Sequence, residues 1–253
     1  MDWLVDSGDY LTGARYSPAR AALVWIRRYC WFMDVKAHWE KVFLEKAAGE
    51  MSWYAPHLEH SLRWIRALRL PRTAAILDVG AGESTLVDDL LAEGFSCVTT
   101  LDVSKAALER VRRRLGERAN TATWIVGDVT EVSLPEAHYD VWHDRAVFHF
   151  LVERERRAQY VAQMRRALKP GGRALISTFG PEGPARCSGL EVCRYDAASL
   201  AAELGERFRL EEAEVEMHRT PAGRVQEFLH TRFVYEPTLH AKAARRMGHP
   251  DSW

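Results

Sequence analysis

The stretch Ile76 to Ser84, ILDVGAGES, constrains what this chain can fold into more than any other. An apolar run ends in Asp78, drops into Gly80-Ala81-Gly82 and passes through Ser84 into helical spacing, which reads as a strand, a tight glycine turn and a helix start. Glycine lets the backbone approach a ligand closely, and the helix start presents unpaired amides to it, an arrangement that α/β folds use to hold nucleotide-like molecules. Glycine turns also join strands to helices for purely structural reasons, so the rest of the chain must decide.

From Ala74 onward strands and helices alternate. AAILDV is strand one, and Leu86, Val87, Leu90 and Leu91 give the next helix an apolar face that stops at Gly94. Cys97 to Leu101 is strand two, and Ala107, Leu108, Val111 and Leu115 mark a helix ending at Gly116. Thr123 to Val126 is strand three and Tyr139 to Arg145 strand four. Tyr160, Met164 and Leu168 mark a helix, and Pro170-Gly171-Gly172 breaks the chain before strand five, Arg173 to Thr178. Repeated βα units predict a parallel sheet with helices on both faces. After a helix near Ala197 to Leu204, two strand-like runs, Phe208 to Val215 and Glu227 to Tyr235, are joined only by a turn near Pro221-Ala222-Gly223, so they pair antiparallel. The fold expected is α/β, a Rossmann-like seven-stranded, mostly parallel sheet with a reversed final strand.

Residues 74–236 form the main domain in this reading, with a helical, aromatic-rich lid segment over 33–73 and a basic tail over 237–253. Residues 1–32 are either a helical cover or the product of a start assigned upstream of Met33. In the lid, Trp39 and Phe43 lie four apart on one helix face, whereas Trp53-Tyr54 precedes Pro56 and belongs to a loop.

Lys+Arg and Asp+Glu both number 35, so no overall field recruits nucleic acid. The longest early apolar run, Ala21 to Ile26, is too short to span a bilayer, and the acidic start does not resemble a signal peptide, which points to a cytoplasmic protein without a membrane partner. Cys30, Cys97, Cys187 and Cys193 are scattered without paired CxxC spacing, and no metal is expected from them. The oligomeric state is left unassigned.

Two further carboxylates close strands beside the glycine turn. Asp102 ends LDVS, where it can accept hydrogen bonds from both hydroxyls of a ribose or, more plainly, form an Asx turn into the next helix. Asp128, in GDV, ends strand three, where its carboxylate can take a purine amino group. Together the segments DVGAGES, LDVS, GDV, DVWHDRAVFHFL and LKPGGRALIST, spread over roughly Ile76 to Tyr235, resemble the class I S-adenosylmethionine-dependent methyltransferases. That resemblance implies S-adenosylmethionine as cofactor. It assigns Asp78, Gly80 and Gly82 to the cofactor site, the two glycines against its methionyl part, Asp102 to the ribose, and Asp128 with Val129 to the adenine. Ser84 stands where the family often has a third glycine. A nicotinamide dehydrogenase shares the first two units, but its fingerprint wants glycine at the position of Thr85, and the reversed final strand also argues against it.

The methyl acceptor belongs beyond the carboxyl end of strand four. Alternation puts His143 and Arg145 on one face and Trp142 and Asp144 on the other, so Asp144 and Arg145 are the catalytic candidates, an acid and a base expected at the rim of the crevice. HDRAVFHFL resembles thiopurine and related thiol methyltransferases, and also small protein-lysine methyltransferases, which HWEKVF and SWYAP resemble as well. A small-molecule acceptor, a thiol first, is therefore expected ahead of a protein lysine or amine, with a non-catalytic cofactor-binding protein as the third reading. The long Gly/Pro-rich loop after strand five, FGPEGPARCSGLEVCRYD, is the candidate for acceptor selection.

Overall fold

The computed structural model describes residues 35–238; the expectations for residues 1–32 and for the basic tail from Lys242 lie outside that range. Among the described residues, 39–238 belong to one compact unit. Residues 39–73 of the aromatic-rich stretch share that unit with the sheet.

Helix α1 covers residues 35–45, and α2 covers Glu59–Ala67. The βα units follow: β1 (Ala75–Val79), α3 (Leu86–Ala92), β2 (Cys97–Asp102), α4 (Lys105–Leu115), β3 (Ala122–Val126), β4 (Tyr139–Arg145) and α5 (Arg154–Ala167). Then come β5 (Leu168–Phe179), a short hairpin of β6 (Arg186–Cys187) and β7 (Leu190–Glu191), α6 (Ala197–Leu204), β8 (Phe208–Arg219) and β9 (Val225–Tyr235). Gly116 ends α4 at φ 60°, a left-handed conformation that a Cβ would strain, with its N–H on Arg112 O.

Seven strands run in the order β3-β2-β1-β4-β5-β9-β8. The first five are parallel, and β9 is antiparallel to both β5 and β8. The reversed strand is last in sequence but lies one place in from the edge, with β8 outside it. Strand order reverses at β1, which lies between β2 and β4, and a crevice opens at such a switch point beyond the strands' carboxyl ends. β1 is buried along its whole length because helices cover both faces. On one face Leu62, Trp64 and Ile65 of α2 pack with Leu86, Val87 and Leu90 of α3 and Val111 and Leu115 of α4. On the other, Tyr160, Val161 and Met164 of α5 pack with Leu200 and Leu204 of α6.

One boundary differs from the sequence expectation. Leu168 does not end a helix before a Pro-Gly-Gly break; it opens β5, pairing with Tyr139, and the strand continues through Pro170 to Phe179. Gly171, at φ 78°, accommodates the irregularity opposite Asp140, where the register shifts between Tyr139 and Val141.

Candidate active site

The glycine turn follows β1 as expected. Gly80 and Gly82 have φ of 62° and 50°, and Ala81 N–H donates to Leu101 O at 3.1 Å, tying the turn to β2. What forbids side chains here is protein: a Cβ on Gly80 would overlap Val147, and one on Gly82 would lie 2.9 Å from Cζ of Phe43. Ser84 accepts Leu86 N–H through Oγ at 3.0 Å, so the serine in place of a third glycine helps cap α3.

Asp102 has one foot in the turn and one in the next helix. Its Oδ2 accepts Gly82 N–H at 2.8 Å and its Oδ1 accepts Ser104 N–H at 2.8 Å, which is the Asx turn, made by the carboxylate read as a ribose acceptor. A carboxylate oxygen has two lone pairs, so one on each atom is left for a ligand. Burial pushes this carboxyl up to about 6, against the pull of the two amides. Glu40 of α1, which the sequence reading missed, accepts from Lys105 N–H at 2.9 Å, Ala106 N–H at 3.1 Å and Ser104 Oγ–H at 3.0 Å, covering the N-terminus of α4. Its partners lie more than 60 positions away, and only the general preference for acids at helix starts points to it.

Asp128 is more occupied than a free purine acceptor. Oδ1 accepts Thr130 N–H at 2.8 Å and Thr130 Oγ1–H at 2.7 Å, while Oδ2 meets the buried Arg156 guanidinium of α5. Val129 is buried in the core between β1, β4 and α5.

Asp78 lies at the centre of a buried chain. Its Oδ1 is 2.7 Å from His143 Nδ1, and His143 Nε2 is 2.7 Å from Ser61 Oγ on α2. All three residues are buried, and Asp78 Oδ2 finds no partner among the described residues. His143 thus orients Asp78 from the neighbouring strand, a role that β-strand alternation alone does not reveal.

The end of β4 corrects the expectation of an acid and a base side by side at the rim. Asp144 is fully buried, and its carboxylate accepts Val147 N–H at 2.8 Å, Phe148 N–H at 3.0 Å and Tyr160 Oη–H at 2.5 Å. Alternation points it at the α5 face, where it shapes the turn after β4; desolvation raises its carboxyl to about 6. Arg145 points to the other face. Its guanidinium donates to Trp53 O at 2.8 Å and lies 5.1 Å from the centre of the Phe228 ring. It has no ion pair among the described residues, and burial lowers it from its ordinary value.

Around Arg145 the chain gathers aromatic walls. Trp39 meets Trp53 at 5.9 Å and Phe150 at 5.1 Å, both edge-on, and Phe179 meets Phe228 at 4.9 Å. The loop after β5 adds Cys187 and Val192 to this cluster. Trp53 belongs to it, whereas Tyr54 is exposed. His149 Nδ1 accepts Phe179 N–H at 3.3 Å, which leaves Nε2 as the donor, buried and without a partner among the described residues. Desolvation first, then the nearby Arg145 charge, holds this imidazole down at about 3, so it is neutral. At the loop's end Asp196 caps α6 by accepting Ser199 N–H at 2.7 Å. Cys97, Cys187 and Cys193 are free thiols. Among the described residues, no helix is long and apolar enough to cross a membrane.

These groups suit S-adenosylmethionine. Asp78 Oδ2 is a buried, unmet acceptor for an ammonium, Asp102 retains lone pairs for two hydroxyls, and the glycine turn lies between them in the chain.

Comparison with known proteins agrees. Residues 76–172 match the family model described as a methyltransferase domain. The bovine (Bos taurus) eEF1A lysine and N-terminal methyltransferase is 26% identical over 144 residues, 54% of this chain and 20% of that one. The malonyl-[acyl-carrier protein] O-methyltransferase of Halalkalibacterium halodurans is 36% identical over 113 residues, 43% of this chain and 40% of that one. The chain therefore spans only a fifth and two fifths of these relatives. Among solved structures, Burkholderia thailandensis 1,6-didemethyltoxoflavin-N1-methyltransferase, with 1,6-didemethyltoxoflavin and S-adenosylhomocysteine bound, superposes with a TM-score of 0.58 at 22% identity, covering 92% of this chain and 93% of the other. Glycine turn, strand-end carboxylates and sheet order agree with that match: residues 76–172 form a methyltransferase domain, in a fold shared with S-adenosylmethionine-dependent methyltransferases.

Proposed function

We propose that this chain transfers a methyl group from S-adenosylmethionine to a compact small-molecule acceptor bearing an anionic group, a thiolate first. The observation that carries this reading is Arg145, a desolvated guanidinium without an ion pair among the described residues, set among aromatic rings at the end of β4. A desolvated cation that makes no ion pair, with Glu216 acting on it only at a distance, favours an anion in its vicinity and disfavours a second cation.

The cofactor, when bound, supplies an electrophilic methyl group on a sulfonium. Asp78, Gly80, Gly82 and Asp102 hold it in this reading, with Asp128 and Val129 at the purine end. Arg145 holds the acceptor's anion and favours a thiolate over a thiol, whose ordinary pKa is about 8.5. Trp53, Phe150 and Phe228 exclude water and restrict the acceptor's pose, and alignment of the nucleophile within about 3–3.5 Å of the methyl carbon is the main contribution a protein makes to such a displacement. Asp144 acts at one remove, holding the amides of Val147 and Phe148 so that the turn after β4 keeps its shape.

The bovine relative's name favours a second reading, a protein lysine or amine acceptor. A lysine, with an ordinary pKa of about 10.4, must lose a proton before it attacks, and the charge of Arg145 helps that loss while opposing the approach of the ammonium. The third reading is a protein that binds the cofactor without turnover. Labelled methyl from S-adenosylmethionine, offered to a host lysate that is then separated into small-molecule and protein fractions, distinguishes the three. Label in the small-molecule fraction is the expected result. Label on a protein band puts the lysine reading first, and label in neither, with cofactor binding intact by titration, supports the third.

A further inference from the structure

Beyond Arg145, the same face of the sheet carries a cluster that methyl transfer does not use. Ser177 of β5 lies opposite His230 of β9, and His230 Nε2 is 2.8 Å from Glu216 Oε2 on β8. From above, His60 of α2 stacks on His230 with ring centres 4.4 Å apart and planes 6° from parallel. One ligand atom from each of His60, Glu216 and His230 lies within 4.8 Å of the others.

We propose that His60, Glu216 and His230 form a binding site for a divalent transition-metal ion of the zinc type. Two imidazoles and one carboxylate are a donor set such ions accept, and three protein ligands leave a fourth position for water. The rings are also anchored from outside the trio, as metal-binding histidines usually are. His230 Nδ1 is 2.7 Å from Ser177 Oγ, and His60 Nδ1 is 3.2 Å from Nη2 of Arg63 and 3.3 Å from Oε2 of Glu214. Because the Ser177 hydroxyl can donate or accept, His230 frees Nε2 by a change of tautomer and loses no proton in doing so.

Two cations face the cluster. Arg63 is paired with Glu214, and Arg145 lies close enough to influence both Glu216 and His230. Their charges oppose an added ion, so the affinity expected is about micromolar rather than that of a structural zinc centre. The ligands sit at positions 60, 216 and 230, and no local spacing in the sequence announces them; cysteine arithmetic, which gave no metal, did not bear on them.

The test is zinc titration of the chelator-stripped full chain in competition with a chromophoric chelator, together with thermal unfolding. The expected result is one zinc per chain with a Kd below about 10 µM, a rise in Tm on adding zinc, and at least about 100-fold weaker binding in both Glu216→Gln and His60→Asn. His60 is partly exposed on α2, so its replacement leaves the core intact, and circular dichroism checks the fold of each variant. No zinc binding by the parent chain overturns the proposal. Unchanged binding in folded Glu216→Gln and His60→Asn overturns it as well, since the zinc then sits elsewhere.

Discussion

The two halves of the crevice satisfy their polar groups in opposite ways. At the ends of β1, β2 and β3 the carboxylates are largely engaged by nearby protein: Asp102 by Gly82 and Ser104, Asp128 by Thr130 and Arg156, Asp78 by His143. Beyond β4, among the described residues, Arg145 makes no ion pair and donates to Trp53 O, and His149 Nε2 is unmet. A preorganised half holds a constant ligand whose shape never varies, whereas unmet donors in an aromatic pocket are completed by whatever the acceptor brings. The cofactor half is thus built mainly for itself, and the acceptor half for its substrate.

The strongest attack on that contrast is Asp144, which belongs to β4 but is satisfied like a cofactor-side group. Asp144→Ala strands two amides and the Tyr160 hydroxyl in the core and is expected to cost roughly 3–5 kcal/mol of stability in chemical denaturation. A loss below about 1 kcal/mol would mean that the turn after β4 does not depend on it. Asp102→Ala comes next: loss of a charged acceptor for two hydroxyls is expected to weaken S-adenosylmethionine by about 1.5–3 kcal/mol in calorimetric titration, and unchanged affinity removes Asp102 from the ribose.

His149 sharpens the other side through pH. Its folded pKa, about 3, lies below its ordinary value of 6.5, so its neutral form contributes stability that is complete above pH 6.5 and is lost as pH falls from there toward 3. At pH 5 that loss is about 2 kcal/mol. Asp102 and Asp144 act in the opposite sense, being raised to about 6: their contribution is present below about 4 and is lost as pH rises through 6. Comparison with His149→Phe isolates the histidine, since the variant's unfolding free energy should fall less between pH 7 and pH 5; parallel curves mean that His149 titrates normally. The smallest effect expected is for Glu40→Gln, about 0.5–1 kcal/mol of stability from a weakened cap on α4, and it should shrink in high salt if charge is the cause.

How much was legible follows the same division. The glycine turn, Asp102 and all of β4 could be read from the sequence because period and punctuation act over a few residues: Tyr139 to Arg145 is the strand expected, and Asp196 begins α6 where a capping aspartate should. The Pro-Gly-Gly segment misled because strand pairing opposite Tyr139 overrode its local tendency to break. Asp144 was read as a rim acid because alternation tells which face a side chain takes but not how deeply that face is covered. Ser61, Glu40, His230 and Glu216 carry no local signal at all, since their partners come from other strands and helices.

Arg145→Met tests most directly whether the two halves are separable, with cofactor affinity and methyl transfer measured on the same preparation. The prediction is S-adenosylmethionine affinity within about twofold of the parent and turnover of a thiol acceptor reduced at least about 100-fold, the scale expected for loss of a desolvated charge that holds an anion. Turnover unchanged, or cofactor affinity lost in step with it, contradicts an acceptor held by Arg145 apart from the cofactor.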